Sequence, residues 1–320
     1  MSTKEAGELD RFAEASIAQG SKSFAAAARL FDAETRRDVM RLYSWCRHCD
    51  DVVDGQEGGQ GHVASPEPPE ARIAGLRRDT ARALAGEANG LPLSFRALGA
   101  VARRHAMPAS LFEEHLNGFA LDVEGRRYET LDELLTYCWH VAGVVGVMMA
   151  RVMGARDEAV LDRAADLGLA FQLTNIARDV VADAGEGRVY LPLSWLREEG
   201  LSPDDLLDPA KAEVVARLRA RLVSAAEPYY ASARIGIDHL PRRSAWAIAT
   251  AALVYRRIGL KLVARGPAAH GIRISTSGPE KLAAIVSGAR IAFAPRRPGG
   301  PARDRTLWQR PTMSLHSAAM

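Results

Sequence analysis

The sequence predicts an all-α protein, a single helical bundle around a central cavity, and three observations carry that reading. Apolar residues recur at helical spacing along most of the chain, while no run of alternating Val, Ile and Thr between turn residues marks a sheet. Gly, Pro and Asn-Gly punctuation divides the chain into pieces of helical length. Two stretches far apart in the chain carry matching polar stripes in otherwise apolar surroundings, the pattern of two helices whose polar faces converge on one interior.

Composition bounds the function. At 320 residues the chain can bury a substantial core as one large helical domain. A hydrophobic content of 48% with 25% charged residues is that of a globular protein, and a net charge of only +3 argues against a nucleic-acid partner held by bulk charge. Residues 1–19 lack the apolar stretch of a signal peptide, and the longest uncharged apolar run, 141–150, is about half a bilayer span. A cytoplasmic protein is expected. Cys46, Cys49 and Cys138 are an odd number among predicted helices, which fits reduced thiols. Cys46 and Cys49 form a C-x-x-C, but without a second pair or a βαβ context they read as small buried side chains.

Taken in order, Ser21-Lys22-Ser23-Phe24 precedes an alanine-rich helical segment. Ser21 or Ser23 can cap it and offer a hydroxyl to an anion, although capping alone accounts for both. A helix from about Glu34 ends at Gly55, and the Gly- and Pro-rich residues 56–70 are a flexible loop. Scaffold helices over about 71–86, 93–106 and 108–123 follow, separated by Asn89-Gly90 and by Pro108. Thr130-Leu131-Asp132-Glu133 is a capping box that opens an apolar helix running through Tyr137, Val141, Val145 and Met149 to Gly154. The next helix runs from near Asp157 to Gly185 and Gly187. Arg188 and Tyr190 follow, a cation and a phenol that either meet phosphate oxygens or sit on the surface. Helices at about 210–237 and 242–264 close the bundle, and Pro228 is expected to kink or break the first. Residues 268–278 are loop, a last short helix spans about 279–293, and the domain is therefore 1–293. Residues 294–320, with Arg296, Arg297, Arg303, Arg305 and Arg310 among Pro and Gly, read as a disordered tail open to anionic lipid.

The chemistry lies in the two stripes. At roughly 100° per residue, Gln172, Asn175, Asp179 and Asp183 share one helical face, as do Tyr43, Arg47, Asp50 and Asp54. One Asp pair four residues apart is ordinarily a wet face. Two such pairs among Leu, Ile and Val are not, because Asp is a poor helix former and like charges at that spacing repel. Hard oxygen donors without His or Cys suit Mg²⁺ held by carboxylates and substrate phosphates, so a diphosphate clamped between magnesium ions is the expected ligand. The small residues Ala142, Gly146 and Ala150 recur every four positions, which fits equally a groove for an apolar chain or close packing of two helices.

These residues carry a resemblance. Residues 20–24 (GSKSF), 42–54 (LYSWCRHCDDVVD), 137–146 (YCWHVAGVVG), 168–183 (GLAFQLTNIARDVVAD), 187–192 (GRVYLP) and 246–259 (WAIATAALVYRRIG) resemble segments of the squalene/phytoene synthase family. The resemblance implies an all-α isoprenoid-synthase fold in which Asp50, Asp54, Asp179 and Asp183, with Asn175, hold two or three Mg²⁺, or Mn²⁺ in their place. It implies that one allylic diphosphate ionises, that a second captures the cation to give a cyclopropylcarbinyl diphosphate, and that this intermediate ionises, rearranges and loses a proton. Carried over by motif, Arg47, Gln172, Asn175, Arg178, Arg188 and Tyr190 handle diphosphate, metal or carbocation, Ser21, Ser23, Tyr43, Tyr137 and Tyr255 line the site, and Gly146 borders the prenyl groove. Phe171, Tyr137 and Trp139 are expected to wall a carbocation off from water.

The expected substrate is geranylgeranyl diphosphate, joined without NADPH because no glycine-rich dinucleotide fingerprint is present, with a phytoene desaturase as downstream partner and peripheral attachment to the inner face of the membrane. The alternatives are C15 substrates giving dehydrosqualene or squalene, another magnesium-dependent prenyl enzyme, or a non-catalytic assembly factor. The chain departs from the family pattern at Trp139, where Tyr is usual, at Ala182, where an acid is frequent, and in residues 277–281, which follow it loosely.

Overall fold

Side chains that cap helix ends set the frame of the molecule. A computed structural model describes residues 3–20, 22–56, 67–296 and 300–311. Its α-helices are α1 (Thr3–Gly20), α2 (Lys22–Ala28), α3 (Ala33–Asp54), α4 (Pro69–Leu84), α5 (Leu93–Arg104), α6 (Ala109–Val123), α7 (Leu131–Cys138), α8 (Val144–Val152), α9 (Glu158–Gly185), α10 (Leu193–Glu198), α11 (Ala212–Ile237), α12 (Arg242–Arg265) and α13 (Gly278–Phe293). No strand occurs among the described residues. Asp32 opens α3 by accepting the backbone N–H groups of Glu34 (3.1 Å) and Thr35 (2.9 Å), and Gly55 ends it in the left-handed region. Asp157 caps α9 through Ala159 (2.9 Å), Thr130 caps α7, and Ser277 with Glu280 closes a reciprocal box at the start of α13.

The all-α bundle is centred on α9, which is buried on most of its circumference, from Val160 to Val180. The α7–α8 segment packs on one side of it and α11 and α12 on the other. Trp45, Trp139, Phe95 and Phe112 are fully buried. Leu131–Val152 is long and apolar enough to cross a membrane, but most of it is buried inside the protein, as suits a core helix.

Three elements differ from the sequence expectation. Residues 3–20, read above only for the absence of a signal peptide, form α1, with Leu9, Ala13 and Ile17 buried at four-residue spacing and α3 as the principal neighbour. The helix expected over 130–154 is interrupted by a π-helical turn, Trp139–Gly143. Groups of α6 and of the turn bond to one another there: His115 Nδ1 to the His140 carbonyl (3.1 Å), His140 Nδ1 to the Glu114 carbonyl (3.1 Å), and Trp139 Nε1 to Glu114 (3.2 Å). α11 continues through Pro228 without breaking, because Tyr230 bonds Thr174 (2.9 Å) and Ser232 bonds both Asp166 (2.5 Å) and Arg163 (3.2 Å), holding the helix to α9.

The tail expected to be disordered is instead docked over residues 300–311. Arg303 donates to both oxygens of Asp166 (2.8 and 2.6 Å), Arg310 pairs with Asp162 (2.5 Å) and Glu158, Leu307 is buried, and Trp308 approaches Trp139 with ring centroids 6.2 Å apart. Asp166 is fully buried, so it needs that cation, and Arg303 and Arg310 are committed to the protein rather than offered to lipid. Arg303→Ala is therefore expected to cost about 3 kcal/mol in chemical denaturation, because it strands a buried carboxylate. Arg305→Ala, at an exposed position, should stay within about 0.5 kcal/mol. Equal effects of the two substitutions would contradict the docking.

Candidate active site

A cavity of about 540 Å³ runs between α2, α3, α8, α9, α11, α12 and α13. Its polarity follows from the helices that line it. α8 and α9 are antiparallel, with Ala142 against Gly168 and Gly146 against Ala164. One end of their groove therefore carries Gln172, Asn175 and Arg178, joined by Tyr43, Arg47 and Tyr255, while the other carries Met153, Val160, Ala233, Ile237 and Leu240, with Arg163 as its one charged side chain.

The alternatives left open for Gly146 are now resolved. A Cβ on Gly146 would lie 2.3 Å from the Ala164 carbonyl oxygen, and one on Gly168 would lie 2.2 Å from that of Ala142. Gly146 borders the cavity, but its missing side chain serves close approach of two backbones rather than room for a prenyl chain. A bulky residue there tests helix packing and not substrate length.

Just beyond the polar end, behind Arg47 and Arg178 of its wall, Asp50, Asp54, Asp179 and Asp183 do not themselves line the cavity and are interleaved with guanidinium groups. Arg47 donates to Asp51 through Nε (2.9 Å) and Nη2 (2.8 Å) and pairs with Asp50 through Nη1 (2.9 Å). Arg178 holds Asp179 (2.9 and 2.5 Å), with Arg273 at 3.5 Å from the same carboxylate. Arg188 joins the two motifs: its side chain grips Asp54 at the end of α3 (2.5 Å), while its own N–H donates to the Asp183 carbonyl near the end of α9 (2.8 Å). Burial pushes the Asp183 carboxyl up to about 7, helped by Asp179 and Glu186 against Arg188 and Arg178. Burial likewise raises Asp50 to about 6; Arg47 opposes the shift, and Asp54, Asp51 and Asp122 add to it. This end holds more negative charge than its arginines neutralise.

Asp122 was not found in the sequence. It accepts hydrogen bonds from Tyr137 (3.0 Å) and Tyr190 (2.9 Å), interacts with Arg188 and Asp54, and is raised to about 6, chiefly by burial. The one available signal was an Asp in the last turn of α6, where the helix dipole disfavours a negative charge. Arg273 and Lys281 also line the cavity and were missed, since they lie in or just beyond a loop whose path the sequence does not reveal.

Two expected wall residues, Tyr137 and Trp139, and Tyr190, expected to handle diphosphate, metal or carbocation, are corrected. Tyr137 and Tyr190 stack on each other (5.1 Å) and, with Tyr128, form a cluster around Asp122 behind the cavity, and Trp139 is buried against Trp308 with its indole N–H on Glu114. None of the three lines the cavity. The aromatic walls are Phe171 stacked on Tyr255 (4.3 Å) and Phe24 beside Tyr43 (5.3 Å). Ser21 lies outside the described residues, as does the side chain of Ser23.

The donor set fits a hard divalent cation. Asn175 Oδ1, one turn before Asp179 on the cavity wall, is buried without a hydrogen-bond partner. Among the described residues no three acidic, His or Cys side chains close into a metal cage. An oxygen site so open suits an ion that completes its shell with water and ligand phosphate.

The squalene/phytoene synthase family model matches residues 17–280. The chain belongs to the squalene/phytoene synthase family. It is 53% identical over 294 residues to a protein of Enterobacter agglomerans named 15-cis-phytoene synthase, across 91% of this chain and 99% of that one. It is 51% identical to the 15-cis-phytoene synthase of a Paracoccus species, across 92% and 95%. Among solved structures, a dehydrosqualene synthase in complex with ligand superposes with a TM-score of 0.78 at 26% identity, covering 89% of this chain and 96% of that one. A squalene synthase from Alicyclobacillus acidocaldarius shares the fold, with a TM-score of 0.70 at 23% identity over 82% and 98%.

In this family member the crowded carboxylates have a measurable cost. A folded-state pKa above the unfolded value of about 3.9 gives stability that is present at low pH and lost as pH rises through the folded pKa. The metal-free protein should thus lose stability between about pH 4 and 7 through Asp50, Asp122 and Asp183. Asp183→Asn is expected to raise the metal-free Tm at pH 8 by about 2–4 °C. A lower Tm for Asp183→Asn would contradict the charge crowding.

Proposed function

We propose that the chain is a phytoene synthase that condenses two geranylgeranyl diphosphates head to head, through a cyclopropylcarbinyl diphosphate, to a C40 hydrocarbon. The observation that carries this reading is the cavity, charged at one end and apolar at the other, in a chain so similar along its length to proteins of that name. Divalent metal, Mg²⁺ with Mn²⁺ as substitute, would be held by Asp50, Asp54, Asp179, Asp183 and Asn175, and when bound it neutralises diphosphate charge so that the C–O bond can break.

The chain's own residues then have distinct tasks. Arg47, Arg178 and Arg188, with Arg273 and Lys281, surround the position of the diphosphates and stabilise charge that grows as they leave. Asp51 positions Arg47 by taking two of its N–H groups. Gln172, Tyr43 and Tyr255 offer neutral donors beside them. The stacked rings of Phe171 and Tyr255 present a π face to a developing carbocation, and the Met149, Met153 and Ile237 walls keep water from it. Tyr137 and Tyr190 act through Asp122 and Arg188 rather than on substrate.

C15 substrates, giving dehydrosqualene or squalene, are the second reading, favoured by the solved dehydrosqualene synthase of like fold. A cytoplasmic enzyme attached peripherally to the inner face of the membrane and passing its product to a desaturase follows from the insolubility of a C40 hydrocarbon in water.

Incubation of the purified protein with Mg²⁺ and geranylgeranyl diphosphate is expected to give a colourless extractable C40 hydrocarbon, unchanged in amount by NADPH, whereas turnover only of farnesyl diphosphate would overturn the reading. Alanine at Asp50, Asp54, Asp179 or Asp183 should lower kcat about a hundredfold or more, and Asp51→Asn about tenfold. Ala233→Phe, at the apolar end, should slow the C20 substrate much more than the C15 one; equal losses would remove that end from the binding site.

A further inference from the structure

We propose that the outer face of α13, beside the cavity, is a docking surface for an anionic lipid bilayer. This rests on the reading above and extends it by naming the surface. At roughly 100° per residue, Leu282, Val286, Ala289 and Phe293 fall within a 60° stripe. Leu282 is 62% exposed, Val286 47% and Phe293 51%, and Ile272, in the loop that leads to α13, is 49% exposed. The inner face of the helix is already satisfied. Ala284, Gly288 and Ala292 are buried, Gly288 presses on Thr250 of α12, and Trp246 of α12 donates to the Ile285 carbonyl (2.8 Å). A surface helix apolar on its outer side as well has an apolar patch with no use inside the protein.

Two observations select lipid as the occupant. The stripe is continuous with the cavity, because Ile285, on the flank of α13 about 40° from Ala289, lines the cavity together with Phe24 and Ala26 of α2, as Lys281 does from the inner face. A prenyl chain can therefore pass from the apolar face into the cavity without crossing water. The flanking charge is also positive: Arg290 is exposed at the edge of the stripe, Arg242 lies over the Phe293 ring (5.8 Å), and Lys281 and Arg273 sit at the cavity. The one acid of α13, Glu280, points to the opposite side, where Arg257 (3.1 Å) and Lys261 (2.8 Å) hold it. Apolar side chains ringed by cations complement an anionic membrane surface. The docked tail, with Arg303 and Arg310 paired internally, has no part in it.

The test is co-sedimentation of the full chain, without substrate, with vesicles of phosphatidylcholine alone or mixed with phosphatidylglycerol. The protein is expected to bind the mixed vesicles and to release in high salt. Leu282→Gln/Val286→Gln and, separately, Arg290→Glu should each weaken binding about tenfold or more, with unchanged Tm and unchanged turnover of detergent-dispersed substrate. Arg305→Glu in the tail should bind as the unsubstituted protein does. Binding that is indifferent to the α13 substitutions, or a dimer that Leu282→Gln/Val286→Gln dissociates in the absence of vesicle binding, would overturn the proposal. Because no substrate is present in the binding assay, its outcome is independent of which prenyl diphosphate the enzyme uses.

Discussion

The repulsion between carboxylates gathered at one end of the bundle is the constraint around which the rest of the molecule is arranged. Asp50, Asp54, Asp122, Asp179 and Asp183 come from three helices, and their mutual repulsion would splay α3 from α9 if nothing opposed it. Arg188 opposes it directly, holding Asp54 with its side chain and Asp183 with its backbone N–H. Arg47 and Arg178 each neutralise carboxylates on their own helix. Burial first, and the neighbouring carboxylates second, keep the Asp50 and Asp183 carboxyls raised, and a divalent cation beside them would offset both. Affinity for the ligand and strain without it have the same electrostatic origin.

Away from that charged end the cavity is lined mostly by apolar side chains. The close approach of α8 and α9 at Gly146 and Gly168 seals one wall with backbone, while Phe171 and Tyr255 face the region where a cation would form. The π-helical turn at 139–143 turns Trp139 into the core, away from the cavity, where Glu114 and Trp308 receive it. The tail then supports the far side of α9: Arg303 neutralises Asp166, whose neighbour through Ser232 is Arg163 on the cavity wall. Arg163 is thus satisfied inside the protein, by Ser232 and the Pro301 carbonyl.

Much of this was legible in the chain, and the reason is periodicity. The polar stripes of α3 and α9 are local patterns, set by helix geometry alone, so Arg47, Asp50, Asp54, Gln172, Asn175, Asp179 and Asp183 could be assigned to common faces before any contact was known. The capping box at Thr130 is equally local. Aromatic side chains were less readable. Tyr137, Trp139 and Tyr190 are apolar enough to wall a cavity or to fill a core, and only their neighbours decide which.

What the sequence by itself determined is the all-α class, the boundaries of most helices, the two metal-suited faces and the family. Tertiary structure alone decided that Asp122 joins those faces, that Gly146 serves backbone packing, that α11 runs unbroken through Pro228, and that residues 300–311 dock. The division has a physical basis. Helix faces and caps depend on residues three or four positions apart, whereas a buried carboxylate's partner, a close backbone approach or a tail's docking site depends on groups far apart in the chain, whose meeting is a property of the packed bundle. Arg303 is the clearest case: among Pro and Gly it reads as a free cation, and it is the fully buried Asp166 that makes it part of the fold.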